Sequence, residues 1–404
     1  MTAPGATASP GAPASAPYRG SRAVTVSAVI GAAGLALTLV GFLTDRRDAA
    51  LSYLLSFAYW TGLAVAALLW MSVFHASNAR WMTVLRRALE TMTLALPALA
   101  ALFVPVALTL GDVYSWVHPD PHLFTPEQLH HLEHKAPYLN VPMFVLRTAG
   151  YFAVWIAAAE LLARWSRRQD EQGAPLLLLN MRALGTAAIP LGGLAITFAG
   201  FDWLMSLDPL WASTIFGAYY FAGSFLGAMC LLTIAATLSR RDGLFGQMVT
   251  LDHFHNMGKL MLAFTAFWAY LAFSQFMLIW VANLPEENVW YLSRVVGSWK
   301  VVAVALIVGH FVLPFFLLLS RDLKLRPRLL SALGAWQLLM HLLDLYWIVH
   351  GASGSGPLPH WTVFTAFAGV GGAAVALALY RARGRHTVPV RDPFLAESLR
   401  YVQP

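Results

Sequence analysis

The 404-residue chain is 58% hydrophobic and only 12% charged, with a mean hydropathy of +0.61. That balance excludes an ordinary water-soluble domain and requires lipid around the protein. The net charge of +7 does not signal a nucleic-acid partner, because the basic residues sit in short segments between apolar runs, where they orient a membrane protein. The lone cysteine, Cys230, lies inside an apolar run, so the chain has neither a disulfide framework nor a thiolate set for an iron–sulfur cluster or zinc.

Residues 1–17 are built of Ala, Pro, Gly, Ser and Thr with almost no charge, which reads as part of a disordered tail over 1–20 and not as a signal peptide with a basic start. Apolar runs follow at about 23–43, 51–74, 88–110, 141–163 and 183–205, then at about 212–238, 258–283, 297–319, 330–350 and 361–381. Each supplies the roughly 20 residues that a bilayer core about 30 Å thick demands. Lipid forbids open sheet edges. The expectation is therefore an all-α polytopic membrane protein of about ten transmembrane helices over residues 21–381, with a tail at 382–404.

Alternate connections are basic, among them those carrying Arg86 and Arg87, Arg167 and Arg168, Arg240 and Arg241, Arg326 and Arg328, and the C-terminal Arg381 to Arg400. Placing these inside satisfies the positive-inside rule and puts both termini in the cytoplasm of a bacterial inner membrane. The one sizeable outer segment, residues 111–140, carries His118, His122, His130, His131 and His134. A metal held by His131 and His134 on one helical face and a solvated, partner-covered loop are both compatible with that spacing.

Ionisable residues inside a span are costly and mark function by default. His310, His341 and Asp344 lie deep in the eighth and ninth spans. A hairpin centred near residue 325 brings His310 level with His341. Gln337, His341 and Asp344 follow one another at i, i+4, i+7 and project from one face. Burial narrows the gap between carboxylate and imidazole proton affinities, so such a set can pass protons near neutrality; the same residues can equally form a hydrogen-bonded packing contact. Glu90, Glu160 and Lys259 lie near span ends, where snorkelling also accounts for them, and so do Arg147 and Lys300. His253, His255 and Lys259 gather at the mouth of the seventh span as proton collectors or as an anchor. In the segment FDWLMSLDPLWAS, Asp208 before Pro209 reads as the N-cap of the sixth span. Asp202, one turn inside the fifth, is open to proton exit or to packing against Trp203.

Longer motifs carry a resemblance. FDWLMSLDPLWASTIFGAYYFAGSFLGA, HNMGKLMLAFTAFWAYLAFSQFMLIWVANLPEENVWY and QLLMHLLDLYWIV resemble the second NrfD-like membrane subunit, the ActF type, of alternative complex III, over residues 50–381. The resemblance implies two four-helix bundles, about 51–205 and 212–350, with two flanking helices. It also implies partners: a sister NrfD-like membrane subunit, an iron–sulfur subunit, multihaem cytochrome c subunits and, in some assemblies, a terminal oxidase. In that family the complex oxidises quinol, and the oxidation is placed in the sister subunit. Haem c and iron–sulfur clusters would then belong to partners, with no cofactor bound by this chain. No residue pattern marks a quinone pocket, and His310 with His341 makes one histidine pair where bis-histidine haem bundles use two layers. The expected role is a proton path or a quinone-associated scaffold. The alternatives are a self-sufficient quinol-reactive subunit of a polysulfide- or nitrite-reductase-like enzyme, and a secondary transporter whose spans would break at Pro190 with Gly192 and Gly193 or at Gly371 and Gly372.

Overall fold

The computed structural model describes residues 17–122, 124–241, 248–351 and 356–403, so the predicted tail lies almost wholly outside the described residues. Among these, ten helices are long and apolar enough to cross a membrane. They are α1 (Ser21–Thr44), α2 (Arg46–Ala76), α3 (Arg80–Leu108), α4 (Val141–Gln172) and α5 (Pro175–Trp203), then α6 (Phe216–Arg241), α7 (Leu251–Ala282), α8 (Trp299–Leu319), α9 (Pro327–His350) and α10 (Trp361–Ala382). The protein is an all-α polytopic membrane protein, and every predicted span has its helix.

α2 is the axis. Its N-terminus is capped by the Asp45 carboxylate, which accepts from the Asp48 amide at 3.2 Å, and it packs against α3, α5, α6, α9 and α10. Being enclosed on all sides, it cannot be amphipathic. It uses small residues for close approach and aromatic residues whose polar tips reach neighbouring carbonyls. Trp60 Nε1 donates to Phe367 O at 3.1 Å, Trp70 Nε1 to Phe225 O at 2.9 Å and Tyr59 Oη to Leu338 O at 3.2 Å. Its serines return to their own helix or cross to a neighbour, Ser56 donating to Ser52 O at 2.8 Å and Ser52 meeting Thr362 Oγ1 at 2.9 Å. Helices α2–α5 form one packed group and α6–α9 a second, joined where α6 meets α2 and α5.

Two spans are interrupted, each at proline. A proline ring collides with the carbonyl four residues earlier and supplies no N–H. In α3, Pro97 ends the helix Arg86–Thr93 and Pro105 ends Leu96–Ala101. The loosened carbonyls find side chains: Arg381 Nη1 donates to Leu94 O at 3.3 Å and Tyr53 Oη to Leu102 O at 2.9 Å. In α8 a π-helical segment, Ile307–Val312, precedes Pro314. By contrast α5 runs helical through Pro190 and α10 through Gly371 and Gly372. The broken helices expected of a transporter at those positions are not there: the glycines serve close packing, with Gly372 against Gly31 and Gly371 against Trp60.

Outside the spans, α6 begins at Phe216 and not at Pro209, so Asp208 does not cap it. Pro209 sits in a turn closed by Trp211 N donating to Asp208 O at 3.1 Å, and burial raises the Asp208 pKa. A helix at Pro285–Val295 closes the same end of the molecule. Its Trp290 stacks on Trp211 at 4.4 Å, and Arg294, whose pKa burial lowers to about 10, donates to Ile348 O at 3.1 Å. In the long segment the helix Pro126–Lys135 begins with a capping box at Thr125. There His131 and His134 lie on one helix, and the rings of His130 and His134 are in contact, 4.6 Å apart. At the opposite end the two termini meet, Tyr18 N donating to Arg385 O at 2.9 Å and Gly384 N to Tyr18 O at 3.0 Å.

α1 and α10 pack on α2, α10 reaching α3 as well, and pair with each other through glycine. A methyl placed on Gly369 would come within 2.7 Å of the Leu35 amide nitrogen, whereas the native backbones touch and Thr38 Oγ1 donates to Thr365 Oγ1 at 3.1 Å. Association between helices in lipid rests on such close packing. Gly369→Ile should therefore cost about 1–3 kcal/mol by overpacking, read as a lower unfolding temperature in detergent, while the same change at Gly150, which has open space around it, should leave that temperature unmoved.

Candidate functional site

Within the α6–α9 group a polar column crosses an otherwise apolar interior. Pro314 forces the π turn in α8, and because it offers no N–H, the Gly309 carbonyl accepts instead from Trp336 Nε1 at 2.7 Å. The turn carries His310, 0% exposed. π turns inside α-helices recur at functional sites. His341 of α9 lies opposite, 1% exposed, with the two imidazole centroids 6.4 Å apart. None of the four ring nitrogens has a protein hydrogen-bond partner among the described residues. The Trp268 ring covers His310 at 4.0 Å and Tyr59 lies 5.4 Å from His341. Gly223 of α6 makes this approach possible, since a Cβ there would stand 2.7 Å from His341 Nδ1.

One turn along α9, Asp344 is fully enclosed and accepts from Tyr219 Oη on one oxygen and from Trp268 Nε1, at 3.2 Å, on the other. One turn the other way, Gln337 donates to Thr265 Oγ1 at 2.9 Å. The column goes on in both directions. Thr237 meets Ser331 at 2.6 Å toward the end where the termini join. Gln275 takes Ser213 Oγ and gives to Tyr291 Oη, each at 3.1 Å, toward the other. Helical spacing explains the alignment: Gln337, His341 and Asp344 lie on one face of α9, and Thr265, Trp268 and Gln275 on one face of α7, while Ser331 sits on a different side of α9, toward Thr237 of α6.

The structure thus brings together four of the residues singled out in the sequence, His310, Gln337, His341 and Asp344, and holds the other four elsewhere. Asp202 is clamped in the α2–α5 group by Arg147, whose Nε and Nη2 donate at 2.9 and 2.8 Å, and by Tyr151 Oη at 2.7 Å. It does not pack simply on Trp203. Glu90 lies under a charge network: Arg87 at 2.5 Å, Arg86 at 3.3 Å and Ser166 Oγ at 2.5 Å, with Arg87 also bound to Asp170 and Arg86 to Asp392 at 2.5 Å. It is enclosed, not snorkelling. Glu160 pairs with Arg381 at 2.5 Å in a half-open position, and Lys259 is exposed. His253 is a cap residue, Nδ1 meeting Thr250 Oγ1 at 2.7 Å and Nε2 the Trp81 carbonyl at 3.0 Å, and is not open to collect protons.

Sequence reasoning missed the C-terminal strap that completes the Glu90 network. Residues 390–401 return across the end of the bundle, where Val390 N donates to Asp170 at 3.1 Å, Ser398 Oγ to Trp81 O at 2.7 Å, and Asn256 Nδ2 to Tyr401 Oη at 2.8 Å. The signal available was a carboxylate, Asp392, in a segment otherwise rich in arginine. It missed the Asp344 clamp as well, since nothing in the sequence ties Tyr219 of α6 or Trp268 of α7 to this carboxylate.

Among the described residues no group of three His, Cys, Asp or Glu side chains is placed to hold a metal ion. No family model and no curated protein matches the chain.

Removing one partner from a buried ion network strands the other, at about 3–5 kcal/mol, whereas a part-exposed pair contributes about 1 kcal/mol or less. Glu90→Gln should then lower the unfolding temperature of the purified protein strongly, Glu160→Gln slightly and Lys259→Gln not measurably. Equal losses in all three would contradict this ranking.

Proposed function

We propose that this chain is an integral membrane subunit of a respiratory quinol:electron-acceptor oxidoreductase of the alternative complex III type, and that its α6–α9 group conducts protons while partner subunits carry electrons. The observation that carries the proton role is the column itself: two enclosed imidazoles without partners beside an enclosed carboxylate, inside a stripe of hydroxyl and amide groups. A helix bundle that needed only packing would fill those positions with apolar side chains, because uncompensated polar groups in hydrocarbon cost free energy. The respiratory setting rests on the resemblance of the long motifs.

In this reading Asp344 is the group that gains and loses a proton. Tyr219 and Trp268 hold its carboxylate by hydrogen bonds and fix its direction. His341, one helical turn away, and His310 across from it, with ring centroids 6.4 Å apart, form the next station. Gln337, Thr265, Ser331 and Thr237 continue toward the end where the termini meet. That end is cytoplasmic on the count of its arginines, in the inner membrane of a bacterium. Glu90, Glu160 and Asp202 hold helices in place and are not stations on this route. Electrons pass through the haem c and iron–sulfur clusters of the sister NrfD-like, iron–sulfur and cytochrome subunits.

Asp344→Asn keeps the shape and most of the hydrogen bonding but cannot release a proton. The assembled complex carrying it should still oxidise quinol in detergent, where no gradient opposes turnover, and should lose proton translocation in liposomes. A normal proton-to-electron ratio in those liposomes would reduce the column to packing.

A further inference from the structure

A polar-ended cavity lies away from this column. It has a volume of about 440 Å³ and runs between α2, α3, α6 and α10, beneath Tyr18 and the segment that follows α10. Its interior is apolar, walled by Trp60, Leu63, Met92, Ile234, Val375 and Leu379, and alanines keep it open where larger residues would fill it. Leu238, 52% exposed, stands at its side, where it faces the surroundings of the bundle.

The chemistry is concentrated at the end where the termini meet. Arg87 and Arg385 both line the cavity. Arg87 is only 4% exposed, and three of its contacts are made: Nη1 to Glu90, Nη2 to Asp170 and to Ser166 O. Its Nε is buried and has no hydrogen-bond partner, and the same holds for Arg385 Nη1. A buried donor left unpaired bears its desolvation cost uncompensated, the more so when charged. Burial, then the neighbouring Arg167, Arg87 and Arg381, depress the Arg385 pKa to about 10, against the opposing pull of Glu90, which also lines the cavity and is itself engaged by Arg86 and Arg87. An anionic oxygen accepting from both guanidinium groups would relieve both costs.

The apolar depth says what carries that oxygen. From Ala382 to Ala374, both on the wall, α10 descends roughly 12 Å at 1.5 Å per residue. A free anion would leave this length uncovered, and a neutral head group would leave the charge unmet. We propose that the cavity binds an anionic phospholipid, its phosphate bridging Arg87 Nε and Arg385 Nη1 and one acyl chain lying between α2, α6 and α10. Arg87 then joins two systems, the Glu90 network on one side and the lipid on the other, so that lipid binding stabilises the end of the bundle where the C-terminal strap docks.

The full chain, purified in a neutral detergent and washed free of lipid, tests this by thermal unfolding and native mass spectrometry with four additives: dioleoyl phosphatidylglycerol, dioleoyl phosphatidylcholine, inorganic phosphate, and a short-chain quinone. Phosphatidylglycerol should raise the unfolding temperature and remain bound, at an affinity at least tenfold above that of phosphatidylcholine, and phosphate and quinone should do neither. Arg385→Gln, which lies outside the Glu90 ion pairs, should fold and lose about tenfold in phosphatidylglycerol affinity, the worth of one charged hydrogen bond. Ala235→Trp fills the apolar part without touching charge and should abolish binding. Equal protection by the two lipids, full protection by phosphate alone or by the quinone, or unchanged selectivity in folded Arg385→Gln would each overturn the assignment.

Discussion

In hydrocarbon no polar group can borrow a partner from solvent, and this constraint shapes the molecule more than any single contact. Indoles and tyrosine hydroxyls of α2 end on carbonyls of α6, α9 and α10. Carbonyls loosened by Pro97, Pro105 and Pro314 are taken by Arg381, Tyr53 and Trp336. The four ring nitrogens of His310 and His341 are among the buried polar atoms that no described protein group answers, and they lie together in the α6–α9 interior beside Asp344.

The two helix groups divide the labour. In α2–α5 the buried charges are matched: Arg147 with Asp202, and Arg86 and Arg87 with Glu90, Asp170 and Asp392. A matched pair is held in one protonation state by its partner and serves to lock helices together. In α6–α9 no arginine or lysine answers Asp344; its partners are a phenol and an indole. A carboxyl group with neutral donors is free to exist with or without its proton, which a relay requires and a clamp does not.

Much of this was legible in the sequence because lipid makes the code simple. Ten apolar runs gave ten helices, and the hairpin between α8 and α9 set His310 level with His341, since rise per residue alone fixes depth. The i, i+4, i+7 spacing put Gln337, His341 and Asp344 on one face. What could not be read was lateral: depth does not say which helix a face meets. Arg147 and Asp202 were both visible near one end of their spans, but nothing in either segment declared them partners. The same holds for Glu90, whose charges are answered partly from residues 390–401, three hundred positions away and without apolar periodicity to reveal that they dock. The π turn was hidden for a different reason, being a backbone response to Pro314 that leaves no mark on the hydrophobic pattern.

The central claim is that Asp344 changes its protonation in the working protein. Infrared difference spectroscopy on the assembled complex, triggered by adding quinol, reports that directly. The account predicts a carboxylic C=O band that appears or shifts on turnover, moves in heavy water, and is missing from the Asp344→Asn protein. An identical difference spectrum from both proteins would contradict it.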